Sequence, residues 1–470
     1  MSKRDGVSRR DFMKGAAKAA AGVTVGSAAA TKVARADVYK SILPQTIIGA
    51  NEKIRTGHIG VGGMGQRDLR FVVERPDMQP IAVCDLNPKT VDLAKQLVMT
   101  KHPEPTGHQY FEEIIENKDI DAVVVVTPDH WHTLPSIMAM EAGKDVYCEK
   151  PMSTTLEESQ VTMEVVARTK QVYQSGTMQR SGVYFQEVVQ LVKAGHIGKI
   201  GRIETFNYDR GAKVEGIGNK PDSDAPEWLD WDRFIGWTPK VPYNENRYLY
   251  NFRWFTDYSG GKITDWGAHL IDIALLAMGT ERRPKSVTAM GGKYVLTDNR
   301  TTPDTLEVNW DYGDFMLSFS NRAWCPDWHE GSLGHGIVFH GTLGSMYVDR
   351  KGYTVYPYRE NGGCEAISKR DGEEMPMNLG HWENFCKCVR DRSVPTSSAE
   401  SSYGTMVACI TGKAAYIAAG GILHWDNEKE RFTGKDSDAV KVGNEWLYRE
   451  YQNGWSLKSP YYKEWKKKNA

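Results

Sequence analysis

Lys150 precedes a proline at the end of the stretch Tyr147-Cys148-Glu149-Lys150-Pro151. A lysine held at the mouth of a sheet presents a charge that can polarise a carbonyl or stabilise an alkoxide. Farther on stands Asp265-Trp266-Gly267-Ala268-His269. An Asp and a His four apart share one helix face, so the carboxylate can orient the imidazole or a substrate while the imidazole shuttles a proton. Upstream, Gly60-Val61-Gly62-Gly63-Met64-Gly65 fits G-x-G-x-x-G, and Asp85 follows Gly65 by 20 residues. In such a loop the first glycine makes the turn and the second lets a pyrophosphate approach the backbone. The third lets helix and strand pack, and the helix N-terminus favours the anion. Asp85 suits a ribose 2′-hydroxyl and repels a 2′-phosphate, which favours NAD, with NADP the alternative. The three motifs together read as hydride transfer to or from a carbon bearing oxygen, with Lys150, Asp265 and His269 as the catalytic set.

The elements around these motifs follow from hydrophobic periodicity. Strands are predicted at 56–61, 79–85, 122–127, 145–149 and 172–177, with helices at 66–74, 87–100, 133–142 and 156–169 between them. The β-branched run at 122–126 marks a strand buried on both faces. This alternation predicts an α/β fold whose N-terminal Rossmann domain, residues 54–180, is a doubly wound parallel sheet. After residue 182 the pattern changes. A helix at 185–194 leads to half-buried strands at 201–208, 286–294, 304–310, 315–323, 336–341 and 344–349. Helical periodicity returns at 382–390 and 403–419. A C-terminal α/β domain, residues 181–470, with a large, mostly antiparallel, open-faced sheet is expected.

Loops at the C-terminal ends of parallel strands line the nucleotide crevice. The expected cofactor-binding set is therefore Gly60, Gly62, Gly63, Met64, Gly65 and Asp85, with Thr127, Pro128 and His132 after the buried strand and Glu149 and Lys150 after the next. The plainer reading of Thr127-Pro128-Asp129-His130-Trp131-His132 makes Asp129 a helix cap and the histidines surface residues. The two histidines suggest no third ligand, so no metal site is expected. Asp272, seven beyond Asp265, is read either as a further site residue or as the partner of a buried group.

The chain has 470 residues, 40% hydrophobic and 25% charged, enough for two or three domains. Residues 1–36 read as a separate object. Ser8-Arg9-Arg10-Asp11-Phe12-Met13-Lys14, an Ala/Gly-rich run and Ala34-Arg35-Ala36 form the pattern of a twin-arginine export signal with a small-x-small cleavage site. The expected partner is the twin-arginine export machinery and the expected compartment the periplasm, with residues 37–53 as a linker. The leader carries eight basic and two acidic residues of the chain's 59 and 60, so the remainder has 51 against 58. That acidic balance argues against nucleic acid. No later run of 18 apolar residues predicts a membrane span. Seven cysteines are too few for a disulfide scaffold of this length.

The fingerprint, Thr127-Pro128, Glu149-Lys150-Pro151 and Asp265-x-x-x-His269, in this order, resemble the glucose–fructose oxidoreductase/inositol dehydrogenase (Gfo/Idh/MocA) family. The stretch from His381 to Asp426 is similar to an exported bacterial branch of it. The resemblance implies a carbohydrate substrate, NAD(P), Lys150 near the nicotinamide and the substrate hydroxyl, Asp265 and His269 as the acid/base pair, and a homo-oligomer, dimer or tetramer, formed through the open sheet. It covers two chemistries: net oxidation or reduction of a sugar, glycoside or cyclitol, and NAD-dependent glycoside cleavage. The aromatic-rich segment 226–258 offers rings that stack on sugar C–H faces or that anchor a long excursion. Arg253 and Tyr258, which lead into the catalytic helix, are its expected substrate contacts, beside Lys150, Asp265 and His269.

Overall fold

A computed structural model describes residues 52–208, 213–325, 333–373 and 375–457. The expected export leader and nearly all of the linker lie outside the described residues. The Rossmann unit runs β1 (Ile54–Ile59), α1 (Gly63–Glu74), β2 (Met78–Cys84), α2 (Pro88–Val98), β3 (Thr106–His108), α3 (Phe111–Glu116), β4 (Ala122–Val125), α4 (Thr133–Glu141), β5 (Asp145–Cys148), α5 (Leu156–Thr169) and β6 (Tyr173–Ser175). Its six strands lie in the order β3-β2-β1-β4-β5-β6, all parallel. The order reverses between β1 and β4, and the crevice at that switch point is where such folds bind nucleotides. Every residue of β4 is buried, as its β-branched composition requires in a strand covered on both faces.

Local chemistry sets the helix ends. Asn87 caps α2, accepting from the Lys89 amide at 3.1 Å, and Pro88 begins it with a preset φ. Thr155 and Glu158 form a capping box on α5. Glu158 is wholly buried there, taking the Tyr451 hydroxyl at 2.6 Å as well.

The second unit begins with α6 (Val183–Lys193) and β7 (Ile200–Tyr208). An excursion follows, containing β8 (Asp222–Ser223), α7 (Trp231–Ile235) and β9 (Tyr243–Asn244). Then come α8 (Lys262–Asp265), α9 (Gly267–Met278), strands β10 (Ser286–Gly292), β11 (Thr305–Asp311), β12 (Met316–Arg322), β13 (His335–Gly341), β14 (Gly344–Asp349), β15 (Gly352–Pro357) and β16 (Ile367–Lys369). Helices α10 (Met375–Asp391) and α11 (Ala399–Ala418), strands β17 (Leu423–Asp426) and β18 (Arg431–Thr433), and helix α12 (Ser437–Leu447) close the chain. The sheet has ten strands, ordered β16-β15-β14-β13-β7-β12-β11-β10-β17-β18. Only β7 and β12 pair in parallel; its other neighbours are antiparallel. Along β11, Leu306, Val308 and Trp310 are buried while Glu307 and Asp311 are exposed, the two-residue alternation of a sheet covered on one side. The apolar helix α9 lies against that covered face, with α11 packed beside it.

The two units share core. Tyr147 of β5 stacks on Trp382 of α10 with centroids 4.1 Å apart, and Phe385, Cys386 and Val389 join Ile54, Val72 and Val124 in one buried cluster. A helix from the second half thus covers part of the first sheet. Among the described residues no helix is long and apolar enough to cross a membrane.

Candidate active site

The fingerprint loop has the shape its glycines predict. Gly60 sits at φ +82°, and a Cβ there would stand 2.6 Å from the Val126 carbonyl oxygen. A Cβ on Gly65 would stand 2.1 Å from the Gly60 carbonyl oxygen, so α1 crosses the loop with no room for a side chain. Gly62 and Gly63 differ: a Cβ at either meets nothing within 4 Å. Their neighbourhood is open space in front of a helix N-terminus. The Gln66 amide donates to Gly62 O at 2.7 Å, which leaves the amides before it outside the helical ladder. That cradle fits a pyrophosphate.

A cavity of about 660 Å³ runs from this loop along the crevice. Gly60, Gly62, Gly63, Met64, Asp85, Thr127, Pro128, His132, Glu149 and Lys150 all line it; of the expected cofactor set only Gly65, buried under the loop, does not. At one end Asp85 is held rigidly. One carboxylate oxygen accepts the Val61 amide at 3.0 Å, the other the Asn87 amide at 2.9 Å. Burial raises its pKa, against the two amides, which lower it. The Thr127 hydroxyl is buried in the crevice without a hydrogen-bond partner, as expected of a group kept for a ligand. NAD therefore fits the residues present: Gly62 and Gly63 would take its phosphates, Asp85 its adenosine ribose, and Thr127 is left to bond along its length.

His132 does not point outward. Its Nδ1 lies 2.7 Å from Pro151 O and its Nε2 2.9 Å from Thr127 O. It ties the loop after β4 to the turn after Lys150. Burial lowers its pKa, and a neutral ring donates to one of the two carbonyls. His130 is buried too, its Nε2 2.8 Å from Phe234 O, and burial pushes its pKa down to about 3. Asp129 is no surface cap: it accepts the Ser259 hydroxyl at 2.5 Å and so joins the crevice loop to the approach of α8.

At the other end of the cavity stand Lys150 and Arg253. The Lys150–Pro151 peptide is cis. Lys150 Nζ donates to the Asp265 carboxylate and, at 3.3 Å, to the Asp265 carbonyl. Arg253 Nε lies 3.9 Å from the other Asp265 oxygen. Burial alone would raise the Asp265 pKa; Lys150, Arg253 and Lys262 outweigh it and hold the carboxyl well below the usual range. Asp265 is thus a fixed anion between two cations. Asp265 and His269 do not share one continuous helix. Asp265 ends the one-turn α8, the chain steps at Trp266, and His269 lies in the first turn of α9, donating its amide to Trp266 O at 3.0 Å. The His269 ring is buried, and its Nδ1 has no hydrogen-bond partner. Burial first, then the charges of Lys150 and Arg350, push its pKa well below 6.5. A neutral imidazole beside an ammonium can accept the proton of a hydroxyl whose oxygen the ammonium stabilises.

Tyr258 is not brought to this site. It is fully buried, its ring 4.8 Å from that of His130 and 5.9 Å from that of Phe234, and it anchors the excursion. Gly267 faces Cys409 and Ile271 at ordinary contact distance rather than the cleft. Trp266 is half-buried, between the rings of His335 at 4.4 Å and the guanidinium of Arg350 at 4.7 Å. Asp272 resolves to its structural reading: it takes Arg180 bidentately at 2.6 and 2.5 Å and the Thr405 hydroxyl at 2.9 Å, all buried. That pair locks α9, and with it His269, to the segment after β6. Tyr110 and Arg233, which no sequence motif marks, also line the cavity. Arg233 pairs with Glu112 through two contacts of 2.7 Å, binding excursion to Rossmann unit. Among the described residues no group of three or more His, Cys, Asp or Glu is placed to hold a metal ion.

A parallel sheet with a dinucleotide crevice, closed by a second domain that brings Arg253 and Asp265 up to Lys150, defines a two-domain NAD-binding protein of the oxidoreductase type. Comparison with known proteins agrees. The model described as "Oxidoreductase family, NAD-binding Rossmann fold" matches residues 54–177, and "Oxidoreductase family, C-terminal alpha/beta domain" matches 181–313. The chain belongs to the Gfo/Idh/MocA oxidoreductase family. It is 30% identical over 205 residues to a "Glycosyl hydrolase family 109 protein" of Saccharopolyspora erythraea, covering 42% of this chain and 44% of the relative. It is 30% identical over 207 residues to an alpha-N-acetylgalactosaminidase of Shewanella oneidensis, covering 41% and 44%. The match thus spans less than half the length of these relatives. A putative myo-inositol dehydrogenase from Sinorhizobium meliloti shares the fold, with TM-score 0.55 and 20% identity over 79% of this chain and 99% of that one.

Proposed function

We propose that this protein is an exported NAD-dependent oxidoreductase acting on a secondary hydroxyl, or the corresponding carbonyl, of a sugar, glycoside or cyclitol. The reading is carried by Lys150, which lines the dinucleotide cavity, is held by Asp265, and acts by its charge on the buried ring of His269. NAD bound in the cleft supplies the hydride acceptor. The Lys150 ammonium, two of whose three N–H groups are engaged by Asp265, offers the third to the substrate oxygen. As the carbinol C–H electron pair leaves, the hydroxyl proton passes to neutral His269. Asp265 holds Lys150 in place and keeps it charged. Export is supported by the Ser8–Lys14 pattern. Assembly as a homo-oligomer through the uncovered sheet face is supported by the family resemblance and by Met290, 76% exposed on β10.

The relatives named for glycosyl hydrolase and α-N-acetylgalactosaminidase activity favour a second use of the same site. Oxidation of a ring hydroxyl, loss of the aglycone, addition of water and return of the hydride give net hydrolysis with no net redox change. The two readings separate in one experiment. NAD-loaded protein is incubated with a panel of free sugars and glycosides, following nicotinamide absorbance and products. A ketosugar with stoichiometric reduced nicotinamide supports the first reading. Free sugar and aglycone with NAD regenerated supports the second. Neither product across the panel refutes both.

A further inference from the structure

The cavity holding the dinucleotide is not closed by the Rossmann unit alone. Tyr248, Leu249 and Tyr250, from the excursion of the second domain, line it together with Asp85 and Leu86. Burial, and after it the charge of Asp85, raise the pKa of the Tyr248 hydroxyl, and that Asp85 carboxylate, which lines the same cavity, is the one whose two oxygens are pinned by backbone amides. The Tyr248 ring is itself fixed, 5.1 Å from Phe234 and 5.9 Å from Trp228. The turn behind it is anchored by Asn246, which is buried and donates to Gly218 O at 3.0 Å and Asn299 Oδ1 at 2.9 Å. Leu249, the next residue, has φ +48° although it is not glycine, and its side chain is 54% exposed. Such a conformation is disfavoured for a non-glycine residue and persists where surrounding structure imposes it. Here it turns the chain sharply enough to present Tyr248 and Tyr250 to the crevice.

We propose that Tyr248 is a cofactor-specificity residue delivered by the second domain: it clamps the adenosine ribose of bound NAD against Asp85, leaves no room for a 2′-phosphate, and slows nucleotide release. An acidic side chain alone disfavours a 2′-phosphate by charge, but side chain and ligand can relax apart if the ribose has space. A fixed phenol in the same cavity removes that escape, an instance of specificity built by exclusion. The nearby cations do not supply a phosphate site. One terminal nitrogen of Arg233 donates to both Glu112 oxygens, and the charge of Arg67 acts on the carboxylates of Asp68 and Glu149.

The test uses full-length protein stripped of nucleotide, measuring Kd for NAD and NADP by calorimetry and NAD dissociation by tryptophan fluorescence. The expected result for Tyr248→Ala is NAD release faster by about tenfold or more and an NADP-to-NAD Kd ratio lower by about tenfold, each tenfold corresponding to about 1.4 kcal/mol. Tyr248→Phe, which keeps the ring, stays near the parent ratio. Asp85→Ala lowers the ratio without matching the faster release. Should Tyr248→Ala fail to fold, Tyr248→Leu fills the aromatic cluster while withdrawing the phenol edge, and carries the same expectation. An unchanged ratio and release rate in the folded variant overturns the proposal, as does a parent protein that does not discriminate between the two nucleotides.

Discussion

Replacing Lys150 by Met tests the chemistry most directly. Methionine keeps most of the side-chain volume and removes the ammonium. Three consequences follow from its surroundings. The substrate oxygen loses its only proposed charged donor; loss of one such donor costs about 10²–10³-fold in rate, or about 2.7–4 kcal/mol of barrier. Asp265 keeps Arg253 at 3.9 Å but loses its direct partner, so its carboxyl pKa rises from its depressed position. The Lys150 and Asp265 side chains are 11% and 14% exposed. Stability should therefore fall by about 1–3 kcal/mol, below the 3–5 kcal/mol of a fully enclosed pair, because Arg253 and some solvent remain. NAD retention should survive, since Gly62 and Gly63 rather than Lys150 form the phosphate cradle. The assay is stopped-flow absorbance of reduced nicotinamide on NAD-loaded protein mixed with an active sugar, alongside nucleotide occupancy. If Lys150→Met reduces its bound NAD at the parent rate, the catalytic assignment is wrong. If it loses the nucleotide instead, Lys150 belongs to cofactor binding and not to the oxygen.

Gly62→Ala should fold with the apo melting temperature of the parent, because its Cβ meets nothing within 4 Å, yet lose NAD on gel filtration; retained nucleotide would refute the cradle. Asp272→Asn leaves Arg180 charged with its side chain 1% exposed and should cost about 3–5 kcal/mol in urea unfolding; a loss under 1 kcal/mol would show the pair is not a lock. His381 is buried between Ser181 and Ser175, and burial pushes its pKa down to about 4. The folded protein keeps it neutral while the unfolded chain takes a proton below about pH 6.5, so this site costs stability as pH falls from 7.5 to 5.5, by about 1.3 kcal/mol. His381→Gln should show a pH-dependent loss smaller by about that amount in denaturant titrations at the two pH values, and an equal loss would contradict the neutral assignment. Arg9→Lys with Arg10→Lys should leave precursor in the cytoplasm on fractionation; normal periplasmic protein would remove the export proposal.

The sequence located chemistry better than it located neighbours. The fingerprint and the β4 run each impose one local geometry, and both are present. The helix expected at 156–169 is found as Leu156–Thr169 because Thr155 and Glu158 fix its start. Strands such as β3, three residues long with two of them exposed, carry too little pattern to register, and the short β16 to β18 fail for the same reason. Nearness in sequence to Asp265 points to Tyr258, but nearness along the chain does not say which way a turn points a ring, and this ring points into the core. Tyr248, in the same aromatic segment, lines the cavity; composition could not rank the two. Likewise the apolar face of α10 predicts burial without saying against what.

The burial of α10 against the first sheet bears on how the protein comes into being. Synthesis runs from the N-terminus, and a Rossmann unit that looks finished at residue 175 still lacks the lid over Tyr147, Ile54 and Val72. The missing helix ends at Asp391, so at common elongation rates the incomplete sheet waits on the order of 10–40 s on the ribosome. During that interval its uncovered apolar surface is a natural client for holding chaperones. A fragment cut at the domain boundary would keep that surface permanently. Any chimera that transplants the nucleotide-binding half must carry Met375–Asp391 with it, although the two lie some 200 residues apart in the chain.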